Sequence, residues 1–229
     1  MRKVVLKVGG SILAPETQDI DYIRKLSSVL VDVKEQDYGL VVVVGGGGLT
    51  RKFIQLAKEV GANNYLCDEI AIQMTRLNAR FLIAALGETH AVPIVPIHPD
   101  DAISHFDSKK ILCMGGTIPG HTTDAVSVLL AEALNARWVK ACVVDGIYDN
   151  DPKKNAGAKK FASLSHDKLV EMAASFDTRK AGENFVVDVL AAKILKRGNI
   201  SGCVVGGKDL SALKNALLGK SHSGTEIRE

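Results

Sequence analysis

Leu40-Val41-Val42-Val43-Val44-Gly45-Gly46-Gly47-Gly48 sets five aliphatic residues directly against four glycines. The run shows no polar alternation, so it reads as a strand buried on both faces, as at the centre of a parallel sheet. Helical spacing follows through Phe53, Leu56 and Val60. The unit is therefore strand, glycine turn, helix. Working outward, the same unit recurs. Val4 to Val8 ends in Gly9-Gly10, Lys110 to Met114 ends in Gly115-Gly116, and Trp138 to Val144 ends in Asp145-Gly146.

The intervening segments are helical. Ile20, Ile23, Leu26, Leu30 and Val33 share one face of Asp19 to Lys34, and Ile70, Met74, Leu77, Phe81 and Ala85 are periodic in Cys67 to Leu86. Helices are also expected over Thr123 to Asn135, Ser165 to Ser175 with Ser165 as N-cap, Phe185 to Arg197, and Asp209 to Leu218. Val92 to Ile97 carries two prolines and reads as an edge strand. Asp100 to Phe106 is a short helix or loop, Asp145 to Ala158 a polar loop, and Ser201 to Val205 a strand. Alternation of strand and helix implies an α/β fold: a mainly parallel sheet between helical layers, an αβα three-layer sandwich. In such sheets ligands bind beyond the carboxyl ends of the strands, where these glycine turns converge.

Bulk properties narrow the class. The 229 residues suit one domain. Aromatics at 5% and a formal charge of +3 give no base-stacking platform and no strongly basic surface, so nucleic acid is not expected as a partner. The four cysteines form no C-x-x-C pair and lie in or beside apolar runs, as reduced thiols of a cytoplasmic protein. A strand begins at once after Met1, so no leader is expected, and no apolar run is long enough for a membrane span.

The turns carry the chemistry. Backbone N–H groups uncovered by side chains, with a helix N-terminus behind them, make an anion site. Gly9-Gly10-Ser11 and Gly45 to Gly48 have this form, although a glycine pair can equally serve only a tight turn. There is no G-x-x-x-x-G-K-[ST] and no G-x-G-x-x-G after the first strand, which argues against P-loop and dinucleotide-binding folds. Lys7 is unusual in a buried strand: it can reach a phosphoryl group or snorkel from the strand end. Thr117-Ile118-Pro119-Gly120-His121-Thr122-Thr123-Asp124 packs small groups and hydroxyls into one turn, with Thr122 or Thr123 as cap. Asp124 there could simply complement the helix dipole, and His121 could be a surface loop residue. Tyr148 and Asp151 follow another strand and could hold a nucleoside.

Together these pieces resemble the amino acid kinase superfamily. Lys7-Val8-Gly9-Gly10-Ser11, Val44-Gly45-Gly46-Gly47, Thr123-Asp124 and Val144-Asp145-Gly146-Ile147-Tyr148-Asp149-Asn150-Asp151-Pro152 carry the likeness. The last is similar to that family's "VDGVY-x-x-DP" nucleotide-binding signature. Pro119 to Ala125, Asp68 with Thr75-Arg76-Leu77-Asn78-Ala79, Lys180-Ala181-Gly182, and Asp188-Val189-Leu190-Ala191-Ala192-Lys193 resemble the archaeal UMP kinase branch. The resemblance implies ATP and UMP as substrates, Mg²⁺ entering with ATP, no metal held by the protein alone, and a homohexamer built as a trimer of dimers. It implies an acceptor-binding half over roughly 1–137 and an ATP-binding half over 138–229. By the same likeness, Lys7, Val8, Gly9, Gly10, Ser11, Gly47, Arg51, Cys142, Tyr148 and Asp151 would bind ATP. Gly46, Asp68, Thr117, Ile118, Pro119, Gly120, His121, Thr122 and Thr123 would bind UMP, with Asp68 on the ribose. Lys7, Arg51 and Asp124 would be catalytic.

One departure falls just before Val144-Asp145-Gly146, where the family's usual Thr-Asn or Thr-Asp is Cys142-Val143. Two other readings stand beside the main one. Another phosphate- or carboxylate-bearing acceptor is possible on this fold, although the histidine that isopentenyl phosphate kinases carry after the glycine run is absent from Gly48-Leu49-Thr50-Arg51. A non-catalytic nucleotide or anion binder is the other, since fold alone does not fix function.

Overall fold

The computed structural model describes residues 1–14, 19–107, 109–152, 154–177 and 186–229. Its centre is a sheet of seven strands: β1 (Arg2–Val8), β2 (Tyr38–Val44), β3 (Leu112–Met114), β4 (Arg137–Cys142), β5 (Ser163–Leu164), β6 (Gly202–Gly206) and β7 (Thr225–Ile227). Their spatial order is β3-β2-β1-β4-β6-β7-β5. The first five in that order are parallel, and β7 reverses direction against β6. The expected three-layer sandwich is the fold found.

Every residue of β2 is buried, as its unbroken apolar run requires. Alternation along the strands splits the core in two. Val4, Leu6 and Val8 pack with Leu40, Val42 and Val44 under helices α2 (Ile20–Lys34), α4 (Asn64–Leu86) and α9 (Leu210–Leu217). Val5 packs with Val41, Val43, Met114 and Trp138 under α6 (Thr123–Leu134), α7 (His166–Asp177) and α8 (Val189–Arg197). The odd face of β1 thus meets α6, which places Lys7 on that side. Caps fix the helix starts: Asp19, Asn63, Thr122, Asp188 and Asp209 each accept a first-turn N–H. Ser165 does the same for Lys168 N at 3.2 Å, as expected.

Several boundaries differ from the sequence reading. Val92 to Ile97 is not a strand; only Ala91 bridges to Ile111, because Pro93 and Pro96 remove ladder donors. The fourth strand ends at Cys142 rather than Val144, and the eighth helix starts at Val189 because Asp188 caps it. Phe185 lies outside the described residues. The two short strands β5 and β7, only two and three residues long, carry too little periodicity to be read.

Candidate active site

The turn after β1 opens the short helix α1 (Gly10–Leu13), and the turn after β2 opens α3 (Gly47–Glu59). The two turns touch through their backbones. A Cβ on Gly10 would stand 2.1 Å from Gly47 N, and one on Gly47, whose φ is +84°, would stand 2.1 Å from Ala14 O. Glycine is therefore required at both positions on steric grounds. Not all of these amides face a ligand. Gly9 N donates to Ala141 O at 2.8 Å, Gly45 N to Val8 O at 3.0 Å and Gly48 N to Ala14 O at 3.2 Å. This corrects the view that the whole glycine run is bare. The N–H groups of Gly10, Ser11, Gly46 and Gly47 have no hydrogen-bond acceptor among the described residues, as expected of first helical turns. Across this surface Arg51 Nη1 donates to Ser11 Oγ at 3.2 Å, so Arg51 and the first turn are brought together.

Helix α4 sews the loops into place. Asn78 Nδ2 donates to Gly45 O at 3.0 Å and Gly46 O at 2.8 Å. Seven residues before Arg76's neighbour along the same helix, Asp68 Oδ2 accepts from Gly120 N at 2.9 Å. Thr75 Oγ1 accepts from Gly116 N at 2.7 Å, while Arg76 holds Gly116 O at 3.1 Å through Nε and Thr117 O at 3.0 Å through Nη2. Gly115 can lie against α4 only because it has no Cβ, which would stand 2.6 Å from Arg76 N. The Thr117–Thr123 turn is thus fixed from below, with Ile118 exposed and Gly120 at φ +81°. Thr122 caps α6, accepting from Ala125 N at 3.1 Å, and donates its own proton to Asp188 Oδ2. Thr123 opens that helix, His121 N donates to Ile118 O at 3.3 Å, and Pro119 is half-buried between them.

In the first turn of α6, Asp124 reaches the sheet. Its Oδ1 is 2.9 Å from Lys7 Nζ, an ion pair outside hydrogen-bonding alignment, and its Oδ2 accepts from Lys140 Nζ. Lys140 Nζ also donates to Val186 O. The parallel register sets Lys7 directly beside Lys140, so both point at one carboxylate. The side chains of Lys7, Asp124 and Lys140 are only 11%, 10% and 6% exposed. Burial pushes the Asp124 carboxyl up, but attraction to Lys140 and Lys7 outweighs it and holds the pKa down at about 2. Burial pulls Lys7 below the ordinary lysine value, with Asp124 resisting and Lys140 adding repulsion. Asp124 is more than a helix-dipole partner, and Lys7 does not snorkel to solvent. Lys140 was missed by the sequence reading, although a lysine between Val139 and Ala141 in an apolar strand was the available signal. The clamping roles of Thr75, Arg76 and Asn78 were missed too.

Val8 is buried at the end of β1. Cys142 sits at the end of β4, its Sγ 3.2 Å from Val144 O. Tyr148 lies in the loop after β4. Its hydroxyl donates to Asp145 Oδ1 at 2.7 Å, and Lys160 Nζ holds Asp145 Oδ2 at 2.7 Å. Asp151 is exposed, and its carbonyl accepts from Lys154 N at 3.0 Å and Asn155 N at 2.9 Å, which closes the following turn. Among the described residues, no hydrogen bond or ion pair joins Tyr148 to the Lys7–Asp124–Lys140 cluster. Lys180-Ala181-Gly182 lie outside the described residues. Cys203, His222 and Glu226 are the one group of possible metal ligands among the described residues. Arg137 already occupies that carboxylate at 2.8 and 2.9 Å, and His222 Nδ1 already accepts from Gly224 N at 3.1 Å, so the trio is a structural knot.

Two glycine turns with helix N-termini, facing a buried lysine pair held by one aspartate, define a phosphoryl-handling protein of the doubly covered α/β class. The chain belongs to the amino acid kinase family, whose model matches residues 2–206. It is 49% identical to the uridylate kinase of Thermococcus kodakarensis, over 98% of this chain and 99% of that one. It is 44% identical to the uridylate kinase of Pyrococcus abyssi over the same shares. The crystal structure of uridylate kinase from Archaeoglobus fulgidus superposes with a TM-score of 0.87 at 40% identity, covering 99% of this chain and all of that one. A UMP kinase from Bacillus anthracis shares the fold, with a TM-score of 0.83 at 24% identity, over 99% of this chain and 96% of that one.

Proposed function

We propose that this protein is a uridylate kinase, which transfers the γ-phosphoryl group of ATP to UMP and gives ADP and UDP. The observation that carries the reading is the buried Lys7–Asp124–Lys140 cluster at the mouth of the glycine turns. Full-length likeness to uridylate kinases supplies the acceptor.

A UMP phosphate oxygen attacks the γ-phosphorus as the bond from that phosphorus to the β,γ-bridging oxygen breaks. A phosphate monoester has a second pKa of about 6, so the nucleophile is already a dianion at neutral pH and no general base is required. The barrier lies in bringing two anions together, and fixed positive charge lowers it. Lys7 and Lys140 supply that charge. Asp124 holds both ammonium groups at one point before substrate arrives, so little reorganisation is needed during transfer. Arg51, tethered to Ser11, reaches across the junction of the two substrates. The N–H groups of Gly10, Ser11, Gly46 and Gly47 receive phosphate oxygens. Val8 and Gly9 shape the first turn, and Cys142, Tyr148 and Asp151 lie toward the ATP nucleoside. Thr117, Ile118, Pro119, Gly120, His121, Thr122 and Thr123 wrap UMP, with Asp68 bracing that turn and turning its second oxygen to the ribose.

Both Asp124 oxygens are already taken by lysines, so this carboxylate is not free for a cation. Mg²⁺ carried by the ATP phosphates would supply further charge neutralisation beside Lys7 and Lys140. The acceptor half spans roughly 1–137 and the ATP half 138–229. Phe53, Leu56, Val60 and Leu66 leave a continuous apolar face on α3 and α4, which a second copy covers in a homohexamer of three dimers. The mass in solution checks this assembly. Four free thiols suit a cytoplasmic location, and among the described residues no helix is long and apolar enough to cross a membrane.

The deciding experiment incubates purified protein with ATP, Mg²⁺ and each common nucleoside monophosphate, then measures the diphosphates formed. UDP is expected well ahead of CDP, ADP or GDP. Absence of UDP formation, or transfer only to an acceptor without a nucleoside, overturns the proposal.

A further inference from the structure

At the opposite end of the sheet from the glycine turns, the amino ends of β1 and β4 border a second cavity of about 630 Å³. Arg2, Lys3, Tyr38, Asn135 and Arg137 line it, together with Met1. No acidic side chain lines it among the described residues. Arg137 is paired with Glu226 just behind the wall. Arg2 and Lys3 have only neutral partners: Arg2 Nη1 donates to Tyr38 Oη at 3.1 Å, and Lys3 Nζ to Leu134 O at 3.0 Å.

Helix capping explains part of this charge. Leu134 closes α6, and Tyr38 Oη donates to Leu218 O at 2.9 Å, at the end of α9. Each helix end carries roughly −0.5 charge. Three side-chain cations, set against Glu226 and two such ends, leave about +1 uncompensated in one concavity. The cations are fixed in place: Lys3 spans to α6 as Lys7 does four residues on, and Arg137 is gripped by both Glu226 oxygens.

We propose that this cavity is a binding site for a small polyanion bearing phosphate groups, separate from the catalytic cleft. A planar guanidinium and an ammonium converging on one concavity suit tetrahedral oxyanions. Arg2 and Lys3, whose hydrogen-bond partners are neutral, can each take a different phosphate oxygen, so a ligand with several such oxygens is favoured.

The test is calorimetric titration of inorganic tripolyphosphate into the full chain at low ionic strength. Saturating UMP and a non-hydrolysable ATP analogue keep the cleft filled. One further site per chain is expected, weakening steeply as salt rises. Arg2→Gln combined with Lys3→Gln should weaken it at least tenfold, while kcat and the KM for UMP measured without polyanion stay as in the wild type. Asn135→Asp places a carboxylate in the cavity without removing a cation, in a left-handed position (φ +50°) that aspartate tolerates, and should also weaken binding. Citrate in a parallel titration separates phosphate recognition from general polyanion binding. Absence of a site beyond the cleft, equal binding by wild type and both variants, or citrate bound more tightly than tripolyphosphate would overturn the proposal.

Discussion

Replacing Asp124 by asparagine keeps the shape of the cluster and removes its only negative charge. At 2.9 Å and an effective dielectric near 20, the Lys7–Asp124 attraction is on the order of 6 kcal/mol before desolvation. Most of that is consumed by stripping water from the ions, so the net worth of the cluster is far smaller. Deleting one partner is a different matter, because two ammonium groups are then left buried side by side. Such deletions cost about 3–5 kcal/mol, a large share of an ordinary domain's stability. The pH response carries the sharper signature. In the wild type the folded Asp124 pKa of about 2 lies below its unfolded value, so its contribution is present above roughly pH 4 and is lost as pH falls toward 2. In Asp124→Asn that acid loss disappears. Lys7 already lies below its ordinary value in the wild type, and losing Asp124 lowers it further, so the variant should gain more stability than the wild type as pH rises toward about 10. Urea unfolding from pH 3 to pH 10 reads both slopes. Adding Lys140→Met should restore part of the loss, since one buried charge then goes with the other; a coupling of about 1–3 kcal/mol is expected. A variant within about 1 kcal/mol of wild type at pH 7, with a flat profile between pH 7 and pH 10, would refute the electrostatic reading of the cluster.

Gly10→Ala should lose activity at least a hundredfold and melt well below the wild type, because its Cβ would lie 2.1 Å from Gly47 N with backbone on both sides. Gly61→Ala is the control: φ is +88° with nothing within 4 Å, so about 1 kcal/mol of strain and unchanged kcat are expected from thermal melts and steady-state rates. Arg76→Ala removes two hydrogen bonds to the Gly116 and Thr117 carbonyls. Each such charge-assisted bond is worth about 1.5–3 kcal/mol, so the KM for UMP should rise roughly tenfold to a hundredfold while kcat changes less. An unchanged KM would remove Arg76 from the acceptor side.

The fold was legible because its central strands are buried on both faces. An apolar run such as Leu40 to Val44 has few other homes, and each run is closed by glycine. Elements at the sheet's margin were harder. Val92 to Ile97 has strand-like composition, but Pro93 and Pro96 cannot donate to a ladder. The short β7 is held in register by Arg137–Glu226 pairing more than by any periodic pattern. In the tyrosine loop the sequence marked Tyr148 itself, but not the tie from its hydroxyl to Asp145, which only the folded loop brings within reach.

The Lys7–Asp124–Lys140 cluster shows why half of such a constellation stays hidden. Lys7 stood out because it breaks an apolar strand next to a glycine pair. Lys140 breaks its strand in the same manner, but Trp138 to Cys142 continues into an acidic loop, so nothing local marks it as a partner of Asp124. What joins the two lysines is the β1–β4 register, in which Lys7 lies opposite Lys140. That register depends on sheet order, and sheet order places β1 between β2 and β4 rather than at an edge. Once β1 is central, α6 must cross it, and the first turn of α6 can deliver one carboxylate to both strands. A buried carboxylate facing two buried ammonium groups holds net positive charge at the strand ends while keeping each lysine partly neutralised. The single Asp124 thereby offsets the repulsion of two buried lysines and leaves one positive charge in excess. Either lysine alone with Asp124 would form a neutral pair and forfeit that excess.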